Sequence, residues 1–249
     1  PRISLRISKE FMDNVWLVII FALLAGLAMP MGALIARIEH FQSDWFEAEI
    51  RHLVIAFGGG ALLSAVALVL VPEGMANLSL TVGLLFFIGG SLSFMAIDIL
   101  LVRINTPASQ LAAMLADFIP ESVALGAAFA TGKSNAYLIA LLIALQNLPE
   151  GFNAFREMRS GKKFSANRLL IVFCLLALFG PVAGLGGYFW LARYPQYVSA
   201  IMLFASGGIL YSIFQDIAPQ AKLAKHWFPP MGGVFGFALG LIGFMLTKH

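Results

Sequence analysis

The sequence has few charged residues, and this scarcity excludes a soluble globular domain. Charged side chains make up 12% of the 249 residues, hydrophobic side chains make up 60%, and the mean hydropathy is +0.88. Soluble domains carry about 25% charged residues. Because so much apolar surface cannot be buried in one core, the solvent must be lipid. We therefore predict an all-α integral membrane protein whose partner is the lipid bilayer.

Other absences exclude several classes of function. The single cysteine, Cys174, excludes a disulfide framework and a cysteine-based metal site. None of the four histidines lies inside a predicted helix core, so zinc peptidase chemistry of the H-E-x-x-H type is not expected. No Walker motif is present, so ATP would not drive transport directly. We expect no enzyme activity and no bound cofactor. We also expect no nucleic-acid partner, because the basic residues lie in short loops, where they indicate membrane topology.

Eight apolar windows are long enough to cross a bilayer, which requires about 20 residues per helix. Short loops connect most of them, so residues 1–249 are expected to form one transmembrane domain. More Lys and Arg residues fall in the loops opposite the termini, which places both termini outside the cytoplasm. The windows cover residues 14–37, 51–72, 79–102, 108–131, 135–156, 168–192, 197–220 and 229–247.

The second and seventh windows share a pattern that indicates an internal repeat. A Phe followed by small residues runs on to a proline in the same register, at 57–72 and at 204–219. The third and eighth windows each contain a Gly-Gly pair followed by Phe. Copies that lie five crossings apart run in opposite senses, as is typical of secondary transporters. The alternative is a chance match, because small residues also recur at helix contacts for packing alone. Gly58, Gly59 and Gly60 separately predict that windows 2 and 5 approach each other closely.

The fourth and fifth windows contain the strongest functional signal. Each carries a polar residue followed by a Pro-Glu pair, with the glutamate four residues after the polar residue: Asp117 with Glu121, and Gln146 with Glu150. This spacing places each pair on one helix face, one turn apart. The prolines leave backbone carbonyl groups free, and a neighbouring helix, water or a cation must satisfy them.

The acidic residues of these windows have no basic neighbour in sequence. A carboxylate at membrane depth is costly, so it faces a cavity or a partner. Asp117, Glu121 and Glu150 therefore need protons or a bound cation, and carboxylate and amide oxygens together suit a divalent metal. Asp216, three residues before Pro219, could join from the seventh window. The alternative is a proton-sharing, hydrogen-bonded cluster that only packs helices.

The run Gln146-Asn147-Leu148-Pro149-Glu150-Gly151 resembles the helix 5 signature of the ZIP (Zrt/Irt-like) metal transporters, which typically reads His-Asn-x-Pro-Glu-Gly. The eight windows, the inverted repeat and the pattern at 205–219 are also similar to that family. The resemblance implies a 3+2+3 arrangement, with helices 1–3 and 6–8 around helices 4 and 5. It further implies a carrier that moves a divalent cation (Zn²⁺, Fe²⁺, Mn²⁺ or Co²⁺) toward the cytoplasm across a bacterial inner membrane, and a homodimer is compatible with it.

The resemblance also implies which residues hold the metal, and this sequence departs from the family at two of them. The family's helix 4 histidine is Asp117 here, and its helix 4 asparagine is Phe118, which cannot ligate. One main site made entirely of oxygen is therefore expected, with preference moved from Zn²⁺ toward Mn²⁺, Fe²⁺ or Mg²⁺. The primary site falls on Asp117, Glu121, Gln146 and Glu150, and a second, adjacent site would use Asn147 and Asp216.

Three alternatives to this function remain open at the level of sequence. One is a proton- or cation-coupled carrier of another solute, which would use the same acids as proton relays. Another is a gated cation channel with the same acidic site. The third, an intramembrane enzyme, lacks the expected nucleophile or zinc motif. Asp98 in the third window either lines an entrance or pairs with Arg103.

Overall fold

A computed structural model describes residues 2–38, 44–104, 107–131, 136–160, 164–222 and 226–247, and it contains a helix at each of the eight apolar windows. Seven helices are long and apolar enough to cross a membrane, and the eighth apolar helix, Met231–Leu246, is shorter. No strand occurs within these described ranges. The all-helical fold expected from composition is thus confirmed, and the seven long apolar helices are compatible with an integral membrane protein. The seven spans are Met12–Ile38, Glu49–Met75, Leu80–Leu101, Leu111–Ala130, Ala136–Arg159, Ala166–Phe189 and Pro195–Gln220.

The helices are numbered α1 to α8 in chain order. Two of them contain a π-helical turn: α2 at Val66–Leu70 and α7 at Ile213–Ile217. The bounds are α1 (Arg2–Ile38), α2 (Asp44–Ala65, then the π turn and Val71–Met75), α3 (Leu80–Ile104), α4 (Pro107–Ala130), α5 (Ala136–Ser160), α6 (Ala166–Ala177 and Phe179–Phe189), α7 (Pro195–Ser212, then the π turn and Ala218–Gln220) and α8 (Met231–Thr247).

Helix contacts divide the described chain into two groups of four. In one group α1 packs on α5 and α4 packs on α6, and α1 also contacts α6. In the other group α2 packs on α8 and α3 packs on α7. The two groups meet mainly where α2 contacts α5 and α4 contacts α7. The helices with the Pro-Glu pairs therefore lie at the boundary between the groups.

Glycines set the closest helix contacts, as expected in lipid, where packing replaces the hydrophobic driving force. A Cβ on Gly60 of α2 would collide with the carbonyl oxygen of Gly233 in α8. Gly207 of α7 faces the carbonyl oxygen of Phe87 in α3 in the same way. Gly58 faces the ring of Pro149, so the predicted close approach of α2 and α5 is confirmed.

We expect Gly90→Ala to destabilise the packing of α3 on α7, whereas Gly89→Ala is tolerated. A Cβ at Gly90 would collide with the carbonyl oxygen of Phe204, whereas nothing lies within 4 Å of a Cβ at Gly89. Overpacking typically costs about 1–3 kcal/mol, whereas alanine in an open helical position gains up to about 1 kcal/mol over glycine. Thermal unfolding of both variants in detergent measures the difference. Equal midpoints would show that this close contact does not form.

The two π turns occupy equivalent positions in α2 and α7. Each turn begins six residues before a proline, at Pro72 and at Pro219. In each turn the residue before the proline donates the last π hydrogen bond, from Val71 to Val66 and from Ala218 to Ile213. Because proline cannot donate the next helical bond, the hydrogen-bond ladder changes register just ahead of it.

Candidate ion-binding site

Backbone contacts with α1 and α6 fix the positions of α4 and α5. A Cβ on Gly151, at the end of the Gln-Asn-x-Pro-Glu-Gly run, would collide with the carbonyl oxygen of Met29 in α1. Gly126 of α4 faces the carbonyl oxygen of Gly184 in α6 in the same way. Each of the two helices also contains its proline inside the helix. The polar residues therefore lie on closely packed, continuous helices, each of which lacks one backbone hydrogen-bond donor, at Pro120 or at Pro149.

Glu121 and Gln146 form the deepest polar pair, with 2% and 1% of their surfaces exposed. Nε2 of Gln146 donates a hydrogen bond to the carboxylate of Glu121. Because an ionised carboxylate only accepts, this bond turns the amide nitrogen toward Glu121 and leaves the amide oxygen facing elsewhere. That oxygen, Oε1, is buried and has no hydrogen-bond partner among the described residues.

Asp117 and Glu150 lie one helical turn from this pair and are only partly buried. Oδ1 of Asp117 and Oε2 of Glu150 are nevertheless buried, and the described structure gives neither a hydrogen-bond partner. The carboxylate of Glu150 lies within electrostatic range of Asp117 and Glu121. The strongest charges acting on these acids are thus other carboxylates, and buried charges of one sign require a counter-ion or protons.

Asp216 connects the buried acids with a more exposed acidic region. It is exposed, lies in the π turn of α7, and is within electrostatic range of Asp117. It also interacts with Asp98 of α3 and Glu157 of α5. The hydroxyl of Tyr211 donates to Asp98 at 3.1 Å. This arrangement favours the interpretation that Asp98 lines an entrance over a pairing with Arg103.

Asn147 and Phe118, the residues of the implied second site, lie in other surroundings. Nδ2 of Asn147 donates to the carbonyl oxygen of Ala25 in α1, at 3.0 Å. The ring of Phe118 is fully buried, and a Cβ at Gly26 or at Gly180 would press against it. An aromatic ring therefore occupies the α4 position at which the resemblance to the ZIP transporters implies a ligand.

Asn153 is a polar residue that the sequence reasoning missed. Its Oδ1 atom is buried and has no hydrogen-bond partner in the described part of the chain. Together with Gln146, Glu150 and Glu157 it follows a spacing of four, three and four residues, which places all four on one face of α5. That spacing is readable in the sequence, and it extends the polar face from the buried pair to the exposed end of the helix.

An apolar layer covers the other side of the buried pair. A cavity of about 10 Å³ borders Glu121 and Gln146 there, at the lower limit of the space that one water needs. The layer includes Val69 and Leu70 from the α2 π turn, and Leu142 from α5. The site is thus bordered by apolar side chains at the level of the α2 π turn, whereas the α7 π turn carries the exposed Asp216.

The acids do not form a preassembled metal cage. Among the described residues, no three Asp, Glu, His or Cys side chains converge closely enough to hold a metal ion by themselves. The Gln146 and Asn153 amide oxygens and the Ser122 hydroxyl, which are buried without a partner in the described structure, are further oxygen atoms on the same two helices. A cation bound here would take both carboxylate and amide oxygens, which is the chemistry of hard divalent ions.

Comparisons with known proteins do not assign the chain to a family. A scan against protein-family models found no match, and neither did a search of curated proteins. The interpretation of the site depends on the residues and the geometry described above.

Proposed function

We propose that the chain is a ZIP-like secondary transporter that carries a divalent metal cation across the membrane toward the cytoplasm. The observation that carries this proposal is a set of five buried side-chain oxygens on α4 and α5 that have no hydrogen-bond partner in the described structure. Buried polar atoms without partners need an explanation, and a bound ion is one. The atoms are Asp117 Oδ1, Ser122 Oγ, Gln146 Oε1, Glu150 Oε2 and Asn153 Oδ1.

The chemistry of these ligands favours hard cations as substrate. Carboxylate and amide oxygens suit Mn²⁺, Fe²⁺ or Mg²⁺ more than Zn²⁺, which prefers nitrogen and sulfur. Because three acids do not converge by themselves, a bound ion would be held by carboxylates from both α4 and α5 together with amide oxygens.

We infer an eight-helix, 3+2+3 arrangement with an inverted repeat, and the glycine contacts support it. The contact of Gly60 with Gly233 corresponds to that of Gly207 with Phe87, and the contact of Gly236 with Phe57 corresponds to that of Gly90 with Phe204. In both correspondences the residue numbers of α2 and α7 differ by 147 and those of α3 and α8 differ by 146. The α3–α8 register therefore lies three residues from the one given by the Gly-Gly pairs, whose numbers differ by 143. Helices that match by chance would not share contact partners. The equivalent π turns fit the same symmetry.

Helix direction orients the site. Asp98, Glu157 and Asp216 lie toward the C-terminal ends of α3, α5 and α7, which run in the same sense across the membrane. The positive-inside rule places those ends, with Arg103 and Lys222, in the cytoplasm of what we propose is a bacterial inner membrane, with both termini outside. The acidic side is then the release side, and the apolar layer closes the external side.

Uptake by reconstituted proteoliposomes tests this function. We expect Mn²⁺ to enter vesicles without ATP and with a saturable rate. A coupled carrier of another solute would move protons without dependence on the metal, and a channel would show a rate that does not saturate. Either of these two results would contradict the proposal.

We expect Asp117→His to raise the ratio of Zn²⁺ to Mn²⁺ uptake by on the order of tenfold. Imidazole is a preferred zinc ligand, whereas carboxylate suits the harder ions. Competition uptake with both ions measures the ratio. The same substitution at Asp13, an exposed acid of α1, is the control and should leave it unchanged. An unaltered ratio in the Asp117 variant would mean that this side chain does not contact the metal.

A further inference from the structure

A groove of about 510 Å³ opens between α2, α7 and α8, apart from the candidate ion-binding site. Its volume falls within the range of about 300–1,000 Å³ that small-molecule sites occupy. Apolar and small residues line most of it, among them Ala56, Gly60 and Leu63 from α2, Ile213 and Ile217 from α7, and Gly233 from α8. The span from Ala56 to Leu63 follows α2 for two turns, or about 10 Å.

The polar residues of the groove are gathered at one end. Lys222, His226 and Trp227 lie between the last residue of the α7 span, Gln220, and the first residue of α8. Trp227 is 92% exposed, which is usual for aromatic side chains at headgroup depth. The groove therefore runs from the membrane–water boundary into the apolar region, with its cationic end at the boundary.

The charges at this end favour an anionic ligand. His226 Nδ1 lies 3.7 Å from a carboxylate oxygen of Glu49. Among the described residues that line the groove none is acidic, and the exposed Lys222 supplies a positive charge there. A single basic residue at the membrane surface attracts anionic lipid by about a factor of five.

We propose that this groove binds an anionic phospholipid of the bilayer. One acyl chain lies along Leu63, Ile213 and Ile217, and the headgroup phosphate contacts Lys222. The bound chain packs on the α7 π turn, which also carries Asp216. The lipid site requires only the membrane-spanning fold and does not depend on which solute the protein carries.

Lipid binding to delipidated protein in detergent tests the proposal. Phosphatidylglycerol and phosphatidylcholine with identical chains are added separately, and retained lipid is counted by native mass spectrometry. We expect phosphatidylglycerol to bind about fivefold more tightly, and Lys222→Glu to abolish that preference. The control Arg103→Glu, a basic residue outside the groove on the same side of the membrane, should keep it.

Two further variants distinguish lipid bound in the groove from lipid bound elsewhere on the protein surface. Ala218→Trp fills the groove and should lower the binding of both lipids, and Leu63→Phe serves if that variant does not fold. Equal affinity for the two lipids in the unmodified protein would overturn the proposal. It would also be overturned if no lipid were retained, or if Arg103→Glu lost the preference as completely as Lys222→Glu.

Discussion

Glu121→Ala and Glu150→Ala are each expected to lower metal uptake by on the order of 100-fold or more, while both proteins still insert. Loss of a residue that only supports a metal ligand costs about 10–100-fold, so loss of a ligand itself costs at least as much. Among the described residues Glu121 is the one acidic residue classed as buried, and Glu150 supplies one of the five unpartnered oxygens. Initial rates of Mn²⁺ entry into proteoliposomes measure the effect.

Two additional variants make this result specific to charge and position. Glu121→Gln keeps the size of the side chain and removes its charge, and it should be nearly as inactive as Glu121→Ala. Asp13→Asn removes the charge of an exposed acid at the start of the α1 span and should transport at the rate of the unmodified protein. Full uptake by both glutamate variants would show that the metal does not pass through this site.

Val69→Cys and Asp216→Cys are expected to differ by more than tenfold in labelling by membrane-impermeant thiol reagents. The two positions are equivalent in the repeat, yet Val69 is 1% exposed in the apolar layer, whereas Asp216 is exposed on the acidic side. Only Asp216→Cys should react without metal, and only from the cytoplasmic side. The background variant is Cys174→Ser, because the native thiol is exposed.

A gradient of metal directed inward should reverse the pattern in part. Alternating access populates a state in which the apolar layer opens, so Val69→Cys becomes reactive from the external side. Labelling of Asp216→Cys should fall at the same time. Reaction of both positions from their two sides at once, with and without metal, would indicate an open channel and would contradict a carrier mechanism.

The helices could be predicted because each apolar window had to be long enough to span lipid. The sixth window illustrates how closely the predicted and observed bounds agree. The sequence predicts a helix over 168–192, and α6 runs from Ala166 to Phe189 with a short break before Phe179. The Pro-Glu pairs could be recognised because acids inside apolar runs are rare and costly. They identified Asp117, Glu121, Gln146 and Glu150 before any geometry was known.

Other features depend on contacts that single residues do not encode. The π turns arise from a change of hydrogen-bond register, which a proline permits but does not specify. The sequence shows that Phe118 cannot ligate a metal. It does not show that the space for the Phe118 ring depends on the missing side chains of Gly26 in α1 and Gly180 in α6. Asn153 was missed because an amide three residues after Glu150 looks ordinary until its oxygen is found buried without a partner. The grouping of α1 with α4, α5 and α6 likewise depends on packing.

Anomalous diffraction from crystals grown with Mn²⁺ tests the central claim most directly, because it locates the ion without an assumption about transport. The proposed site predicts a peak between α4 and α5, within about 2.5 Å of oxygen atoms of Asp117, Glu121, Gln146 or Glu150. The peak should disappear in Glu150→Ala. A peak at another place in the protein, with none between these two helices, would contradict the account.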